Sequence, residues 1–296
     1  MRKRKKRKQT GEYTASLSKT FAYSAIFKYP LSFYQLCTYL IEPPTKKLNY
    51  KTIKKDLDRL VKKRKVRHKN GKYSFPSRKT VAWKKRGDTS QQLLERNRKV
   101  FDVLKSIPWI KTVGVTGSVA AYNAQRNSDI DIFIITAKNR VWITRGFMFV
   151  ILKILNKYPQ KGMDTDKLCP NILLDEGDLE WPKEYQNMFT AHEIVFMQPL
   201  VDKKESYFRF ISKNKWISKY IRFTSHIPKS DFRVRKGSLI VNLVDNLAMK
   251  IQLNYMKRRK TKEITTKNFI HFNKKDDSIE ILDRYKEKSE RLLLTN

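Results

Sequence analysis

Cysteine and histidine are scarce in this sequence, and their scarcity limits the classes of protein that it can encode. Among the 296 residues there are two cysteines, Cys37 and Cys169, and they lie far apart in the chain. Small secreted domains that are held together by disulfides need more cysteines, so we expect two reduced thiols in the cytoplasm. The four histidines are scattered without the spacing of metal ligands, and we therefore expect no zinc site.

Long apolar segments are also missing. The basic start Met1–Lys8 is not followed by an apolar stretch, which predicts that no secretory signal is present. The most apolar run, Val141–Leu155, contains Arg145 and Lys153 and is too short to span a bilayer. We therefore expect a cytoplasmic protein without a membrane partner.

Acidic residues are few in comparison with basic ones. There are 28 Asp and Glu against 65 Lys and Arg, which gives a formal net charge of +37 and a pI near 10.1. Such a field attracts polyanions, and nucleic acid is the leading candidate. A membrane surface is an alternative, and a lysine-rich composition inherited from an AT-biased genome would account for part of the excess.

The first part of the chain combines three helical patterns with a hairpin signal. Apolar residues at helical spacing predict helices before Tyr29, after Ser32 and after Asn49, which is a good N-cap. The pair Asn70-Gly71 is a strong signal for a hairpin. Helix–helix–helix–hairpin is the order of a winged helix-turn-helix, and we predict this fold for residues 19–79.

The third of these helices and the hairpin are rich in basic side chains, which predict contact with nucleic acid. The candidate residues are Lys51, Lys54, Lys55, Arg59, Lys62, Lys69 and Lys72. Alternatively, a small winged helix serves as an interaction or positioning module, and lysines do not distinguish DNA from RNA. Residues 1–18 are predicted to be a basic disordered tail that is able to sit on phosphates.

The rest of the chain alternates strand and helix patterns and then becomes rich in helix. This order predicts a small α/β core over residues 80–200 and a helical C-terminal region over residues 201–296. Predicted helices cover Thr80–Ser106 with a break at Gly87, Ser118–Gln125, about Arg140 to Tyr158, Thr190–Asp202, Ser206–Arg222, Gly237–Arg258 and Asp276–Leu293; predicted strands cover Ile110–Thr116, Asp129–Thr136 and Leu168–Leu174.

A Gly-Ser pair and two alternating aspartates are the most informative motif in the chain. Gly117 and Ser118 follow one predicted strand, and Asp129 and Asp131 begin the next. Because side chains alternate along a strand, the two carboxylates point the same way and are able to share divalent cations. The free N–H groups at the start of a helix bind phosphate, so the motif joins a metal site to a phosphate site.

These residues resemble the signature of the DNA polymerase β-like nucleotidyltransferase superfamily: a hydrophobic strand, Gly-Ser, about ten residues, and Asp-hydrophobic-Asp. The resemblance implies that Asp129 and Asp131 hold two Mg²⁺ ions and that the substrate is an NTP. It also implies that Gly117, Ser118 and Ser128 bind the nucleotide. The overall layout resembles bacterial nucleotidyltransferase-domain proteins with an N-terminal winged helix, as do the stretches Ala22–Pro30, Val115–Ala120 and Thr190–Ile194.

One part of the family pattern is not evident in this chain. Members usually carry a third carboxylate on a neighbouring strand, where it helps to hold the catalytic metal and to accept a proton. The expected position is filled by Asn171, which is a possible weak ligand, and Asp175 at the end of the strand is the candidate for the missing catalytic carboxylate.

Two functions therefore stand open. The first is a Mg²⁺-dependent nucleotidyltransferase that moves NMP from an NTP to a hydroxyl, with nucleic acid, such as an RNA end, as the acceptor. The second is a nucleic-acid-binding protein whose transferase core binds nucleotide without activity, as the gap at the third carboxylate suggests.

Overall fold

The computed structural model describes residues 11–44, 47–76, 81–160, 164–222, 238–257, 263–272 and 277–294. The chain divides into two units. One comprises Met1–Val81, Ile217–Phe223 and Ser278–Asn296, and the other comprises Ala82–Trp216 and Thr224–Asp277. Residues 201–296, predicted as a separate helical region, thus contribute to both units. Residues 1–10 of the predicted tail lie outside the described residues.

The N-terminal part of the first unit, residues 11–76, contains three helices and a three-stranded antiparallel sheet, with strand order β1-β3-β2. Its elements are α1 (Thr14–Ile26), β1 (Leu31–Ser32), α2 (Phe33–Thr38), α3 (Tyr50–Lys62), β2 (Arg67–Lys69) and β3 (Lys72–Ser74). The helix α1 begins within the segment predicted to be a disordered tail. Its residues Leu17 and Phe21 are buried with Leu36, Ile53 and Leu57 in one core, which fixes the three helices.

Local signals account for the ends of these elements. Ser32 and Gln35 form a reciprocal capping box at the start of α2, and the side chain of Asn49 caps α3 by accepting a hydrogen bond from the backbone N–H of Thr52. At the hairpin, Asn70 and Gly71 both have positive φ, as a two-residue turn between twisted strands requires. The predicted hairpin is therefore confirmed, with Arg67–Lys69 paired to Lys72–Ser74.

The second unit is built on a six-stranded mixed sheet with strand order β7-β4-β5-β6-β9-β8. Its elements are α4 (Trp83–Arg96), α5 (Arg98–Ser106), β4 (Ile110–Val115), α6 (Gly117–Ala120), β5 (Ile130–Thr136), α7 (Val141–Ile154), β6 (Leu168–Asp175), α8 (Met188–Phe196), β7 (Gln198–Asp202), α9 (Ser206–Lys213), α10 (Leu239–Met256), β8 (Ile264–Thr265) and β9 (Phe269–His271). The final helix of the chain, α11 (Asp277–Leu294), belongs to the first unit from Ser278 onwards. The strands β5 and β6 are parallel, and the other pairs are antiparallel.

The central strand β5 is covered on both faces. All its residues are buried except Asp131, which is partly buried. The core on one side contains Val113, Ile132, Ile134 and Leu173. A strand that is buried on both faces is expected to be a continuous apolar run, as Ile132–Ile135 is. Asp131 is the exception, and β5 is therefore least covered at this residue.

Two predicted helices are corrected by the structure. The segment predicted as a helix over Thr190–Asp202 forms α8 and then the strand β7, because Gln198–Asp202 pairs with β4. The helix α4 continues through Gly87, where a break was predicted, since an added Cβ at this glycine would meet nothing within 4 Å and the helical backbone is unobstructed. None of the helices within the described ranges is long and apolar enough to cross a membrane.

Several large apolar side chains of α10 lie towards solvent. Ile240, Leu243 and Ile251 are 73%, 71% and 62% exposed. The opposite side packs instead, because the buried carboxylate of Asp245 accepts a hydrogen bond from the N–H of Ile143 at 2.8 Å and thereby fixes the rotation of the helix against α7.

Candidate active site

Two aspartates and a cysteine converge where β5 begins. Asp129 precedes β5, Asp131 is its second residue, and Cys169 is the partner of Asp131 on β6. One ligand atom from each of the three side chains lies within 4.8 Å of the others, and all three residues are partly buried. The predicted proximity of Asp129 and Asp131 is thus present in the structure. Two carboxylate oxygens and a sulfur are donors that suit a divalent cation, so the residues fit a metal site.

Gly117 brings the start of α6 against this cluster. Its φ is +63°, and a Cβ at this position would lie 2.4 Å from Oδ2 of Asp131. The N–H of Thr116 donates to the carbonyl oxygen of Asp131 at 2.9 Å, which fixes the end of β4 beside β5. A glycine is required here both by the backbone conformation and by the lack of space. The Gly-Ser turn and the aspartates therefore form one site.

Glu193 on α8 is a site residue that the motif did not predict. Its carboxylate accepts a hydrogen bond from the backbone N–H of Gly117, and its charge acts on Asp131. The N–H of Gly117 thus has a carboxylate partner in this structure, and phosphate binding at Gly117 stays a prediction. Glu193 lies in the stretch Thr190–Ile194 that marks the family resemblance, but no sequence spacing connects α8 to the motif.

Ser118 and Ser128 are placed differently with respect to the cluster. Ser118 is exposed next to Gly117 at the start of α6. The hydroxyl of Ser128 accepts a hydrogen bond from the N–H of Gln125 at 2.9 Å and closes the turn that leads into Asp129. Ser118 is thus available to a ligand, whereas Ser128 has a structural partner.

The structure corrects the prediction for the third carboxylate. Asp175 pairs with Thr136, five residues along β5 from Asp131, which corresponds to about 16 Å along the strand. Its buried carboxylate accepts hydrogen bonds from the N–H groups of Asn139 and Gly177. Asp175 therefore stabilises the loops at the opposite end of the strand and does not reach the metal cluster.

Asn171 lies at the cluster, as predicted. The register of β5 and β6 shifts between Ile132 and Phe133, so that Asn171 is the extra residue of an irregularity in β6. Its amide nitrogen donates a hydrogen bond to Oδ1 of Asp131, and its amide oxygen accepts one from the thiol of Cys169 at 3.0 Å. Asn171 therefore orients both neighbours.

The predicted nucleic-acid residues divide into two groups. Five lysines are exposed on α3 and the hairpin: Lys51, Lys54, Lys55, Lys62 and Lys69. Two other residues have partners within the unit. Arg59 forms an ion pair with the buried Asp56 at 3.2 Å, and Lys72 donates to Oε1 of Gln35 at 2.9 Å. Lys54 also pairs with Asp58, so Lys51, Lys55, Lys62 and Lys69 are the most accessible candidates.

Desolvation dominates the acid–base properties of the site. The pKa of Asp131 is raised to about 7 by burial first and by the charges of Asp129 and Glu193 second, while the hydrogen bond from Asn171 opposes the shift. Burial likewise raises the pKa of Glu193 to about 7, against the effect of the Gly117 N–H. Without a cation, the site therefore holds its negative charges at a cost.

This cost predicts a pH dependence of stability. An acid whose pKa rises on folding binds more protons when folded, so stability falls as the pH rises from about 3.8, the ordinary value, to about 7. In EDTA, Asp131→Asn is expected to raise Tm at pH 8 by at least about 2 °C, the shift that 1 kcal/mol produces in a chain of this size. At pH 4 the variant and the wild type should differ little.

The measurement is thermal unfolding followed by circular dichroism between pH 4 and pH 8. The exposed Asp164 provides a matched control, because its carboxylate is in solvent and Asp164→Asn therefore removes no desolvation cost. Parallel stability curves for the wild type and Asp131→Asn over this range would contradict the expected ionisation of Asp131.

Comparison with known proteins agrees with this geometry. Residues 97–219 match the family model described as "Nucleotidyltransferase domain". This segment contains the Gly-Ser turn, both aspartates, β6 and α8, and it is a nucleotidyltransferase domain of the DNA polymerase β-like superfamily, as the motif indicated. No curated protein matches the chain.

Two solved structures are similar to 43% of this chain. One is a toxin–antitoxin with AMP-PNP, of which 84% is covered, with 20% identity and a TM-score of 0.22. The other is a mutant of the toxin–antitoxin MntA-HpeT, of which 82% is covered, with 17% identity and a TM-score of 0.23.

Proposed function

We propose that the chain is a Mg²⁺-dependent nucleotidyltransferase that moves NMP from an NTP to a hydroxyl of nucleic acid in the cytoplasm. The proposal rests on the close approach of Asp131 to Gly117. A Cβ added at Gly117 would fill the space between the Asp131 carboxylate and the turn. A carboxylate pair against an open turn suits a metal-bound triphosphate. No other group of three acidic, histidine or cysteine side chains in the described residues has the spacing of metal ligands.

In the proposed reaction, the acceptor hydroxyl oxygen attacks the α-phosphorus of the NTP, the bond between the α-phosphorus and the bridging oxygen breaks, pyrophosphate leaves, and the hydroxyl proton is released to solvent. Asp129 and Asp131 hold the two Mg²⁺ ions, which when bound lower the pKa of the hydroxyl and neutralise charge on the triphosphate. Ser118 contacts the β- and γ-phosphates through its hydroxyl and its backbone N–H. Ser128 keeps the loop before Asp129 closed, and Asn171 holds Asp131 in orientation.

The direct test is incubation of the protein with labelled NTPs, Mg²⁺ and total cellular RNA or DNA. Transfer of label to nucleic acid is the expected result. Transfer to protein or to a small molecule would reject the nucleic-acid acceptor but retain the nucleotidyltransferase.

A second function is favoured by the absence of a carboxylate at Asn171 and by the remote position of Asp175. In this case the core binds nucleotide but does not catalyse transfer of NMP, and the chain acts as a nucleic-acid-binding protein. Tight, salt-sensitive binding of nucleic acid without transfer of label to any acceptor would support it.

For the acceptor site, we infer that the N-terminal unit is a winged helix that binds nucleic acid. The order of α1 to β3 and the exposed lysines of α3 support this inference. A shallow depression beside α3 is lined by Phe33, Tyr50, Lys51, Lys54, Lys55 and Asp58, which combines aromatic and cationic groups. Such surfaces bind bases by stacking and phosphates by charge.

The triple variant Lys51→Ala, Lys55→Ala, Lys62→Ala is expected to weaken nucleic-acid binding. Each lost phosphate contact lowers the slope of log K against log salt by about 0.7–0.9, so three contacts lower it by about 2–3. The measurement is fluorescence anisotropy of a labelled oligonucleotide over a salt series.

The matched control for this prediction is the triple variant Lys84→Ala, Lys85→Ala, Lys99→Ala. It removes the same charge from exposed positions of the second unit. Equal losses in both triple variants would mean that net charge, and not the surface of α3, governs binding.

A further inference from the structure

Cys169 occupies the position on β6 that is opposite to the second aspartate of the motif. It pairs with Asp131 in the parallel register of β5 and β6, and paired residues of neighbouring strands present their side chains on the same face of a sheet. Cys169 forms no disulfide and is partly buried. Its sulfur therefore lies on the face that carries the metal-binding carboxylate.

The distances are close to those of a coordinated ion. Metal–oxygen bonds of about 2.0–2.2 Å and metal–sulfur bonds of about 2.3 Å allow two ligands of one ion to be at most about 4.5 Å apart. The ligand atoms of Asp129, Asp131 and Cys169 lie within 4.8 Å of one another. Small side-chain rotations bring all three within the coordination range of one cation.

Asn171 is built to orient the sulfur as well as the carboxylate. Its amide accepts a hydrogen bond from the Cys169 thiol at 3.0 Å and donates one to Asp131. Groups that hydrogen-bond to metal ligands fix the orientation of those ligands. The bond from Cys169 needs the thiol proton, so it positions the sulfur beside Asp131 before a cation binds and is lost when the sulfur coordinates as thiolate.

We propose that Cys169 is a direct ligand of the metal and that its sulfur makes the site prefer a thiophilic divalent cation, such as Co²⁺ or Zn²⁺, over Mg²⁺. Thiolates bind soft and borderline cations, whereas Mg²⁺ demands oxygen ligands in octahedral geometry. On binding, the thiol proton is released to solvent and the sulfur coordinates as thiolate. This inference rests on the proposed function and revises its metal: the reaction is the same, but the cation that binds most tightly at the position of Asp131 and Cys169 is not Mg²⁺.

The test is titration of the full, reduced chain with CoCl₂ in the absence of nucleotide. A thiolate-to-cobalt charge-transfer band in the near ultraviolet is expected for the wild type. Cys169→Ser should abolish the band and weaken Co²⁺ binding at least about tenfold, since even changes to groups behind metal ligands cost this much. Cys37→Ala is the matched control, because it removes the other thiol, in the core of the first unit.

A second variant covers the case in which serine disturbs the site. Cys169→Asp supplies a third carboxylate and is expected to shift the preference towards Mg²⁺ in competition with Co²⁺, measured by calorimetry. A band that survives Cys169→Ser, or an Mg²⁺-to-Co²⁺ affinity ratio unchanged in Cys169→Asp, overturns the inference.

Failure of this inference and failure of the proposed function give different results. Label transfer with Mg²⁺ but no thiolate band would overturn the role of Cys169 and leave the transferase intact. A band that depends on Cys169, without transfer in the presence of any divalent cation, would support the ligand and reject the reaction.

Discussion

Asp131→Asn is expected to reduce nucleotidyl transfer by about 10³-fold while the protein stays folded. Metal coordination supplies several kcal/mol of transition-state stabilisation, and about 4 kcal/mol corresponds to a factor of about 10³. Asparagine keeps the shape of the side chain but removes the charge that binds the cation. The same loss is expected for Asp129→Asn, because both carboxylates belong to one cluster. The measurement is the initial rate of label transfer at saturating NTP.

The control for this prediction is Asp164→Asn, an exposed carboxylate outside the cluster, which should transfer at the wild-type rate. Because Asp131→Asn is expected to be more stable than the wild type above pH 7, lower activity together with a higher Tm would separate a chemical loss from unfolding. Transfer at more than a tenth of the wild-type rate by both single variants would mean that these carboxylates do not bind the catalytic metal.

The central part of the fold was predictable because its signals are local. Apolar runs that end in Gly-Ser or begin at Asp129 predicted β4 and β5 to within one residue, and Asn70-Gly71 predicted the hairpin. In these segments, propensity, turn chemistry and burial agree. Alternation along one strand also predicted that Asp129 and Asp131 would lie together, because that geometry needs no contact between distant segments.

Other parts of the fold depend on pairing between distant segments. The strand β7 begins shortly after α8, and Pro199 is a local signal against a helix that continues through it. That the segment becomes a strand depends on its pairing with β4, about 85 residues earlier. Glu193 reaches Gly117 for the same reason, since α8 is brought to the site by tertiary packing. A sequence pattern contains no information about such placements.

The proposed third ligand, Cys169, was not predicted because its position depends on strand register. The family resemblance indicated Asn171 or Asp175, but the register aligns Cys169 with Asp131 and leaves Asp175 at the opposite end of β5. A shift of register by one residue reverses every side chain of a strand. The irregularity at Asn171 then places an amide between the two ligands, an arrangement that no count of residues predicts.

Gly117→Ala is expected to cost about 2–6 kcal/mol of stability and to abolish transfer. A left-handed backbone costs a non-glycine residue about 1–3 kcal/mol, and forced overlap in a packed site costs a similar amount. The new Cβ would lie 2.4 Å from Oδ2 of Asp131, so the carboxylate must leave the position from which it binds metal. The measurements are urea unfolding and the initial rate of label transfer.

Three other glycine and aspartate variants separate strain from overlap. Gly71 has a φ of +70°, and a Cβ added there would meet nothing within 4 Å, so Gly71→Ala reports backbone strain alone. Gly87→Ala causes neither backbone strain nor overlap and should stabilise α4 by about 0.5–1 kcal/mol. In Gly117→Ala combined with Asp131→Ala, the nearest atom of residue 131 is Cβ at 3.7 Å, an ordinary contact. The double variant should therefore regain the part of the stability that overlap removed, and only that part. A strictly additive cycle would mean that the Gly117 turn and the Asp131 carboxylate do not share one space, and the proposed metal-bound triphosphate would lose its physical basis.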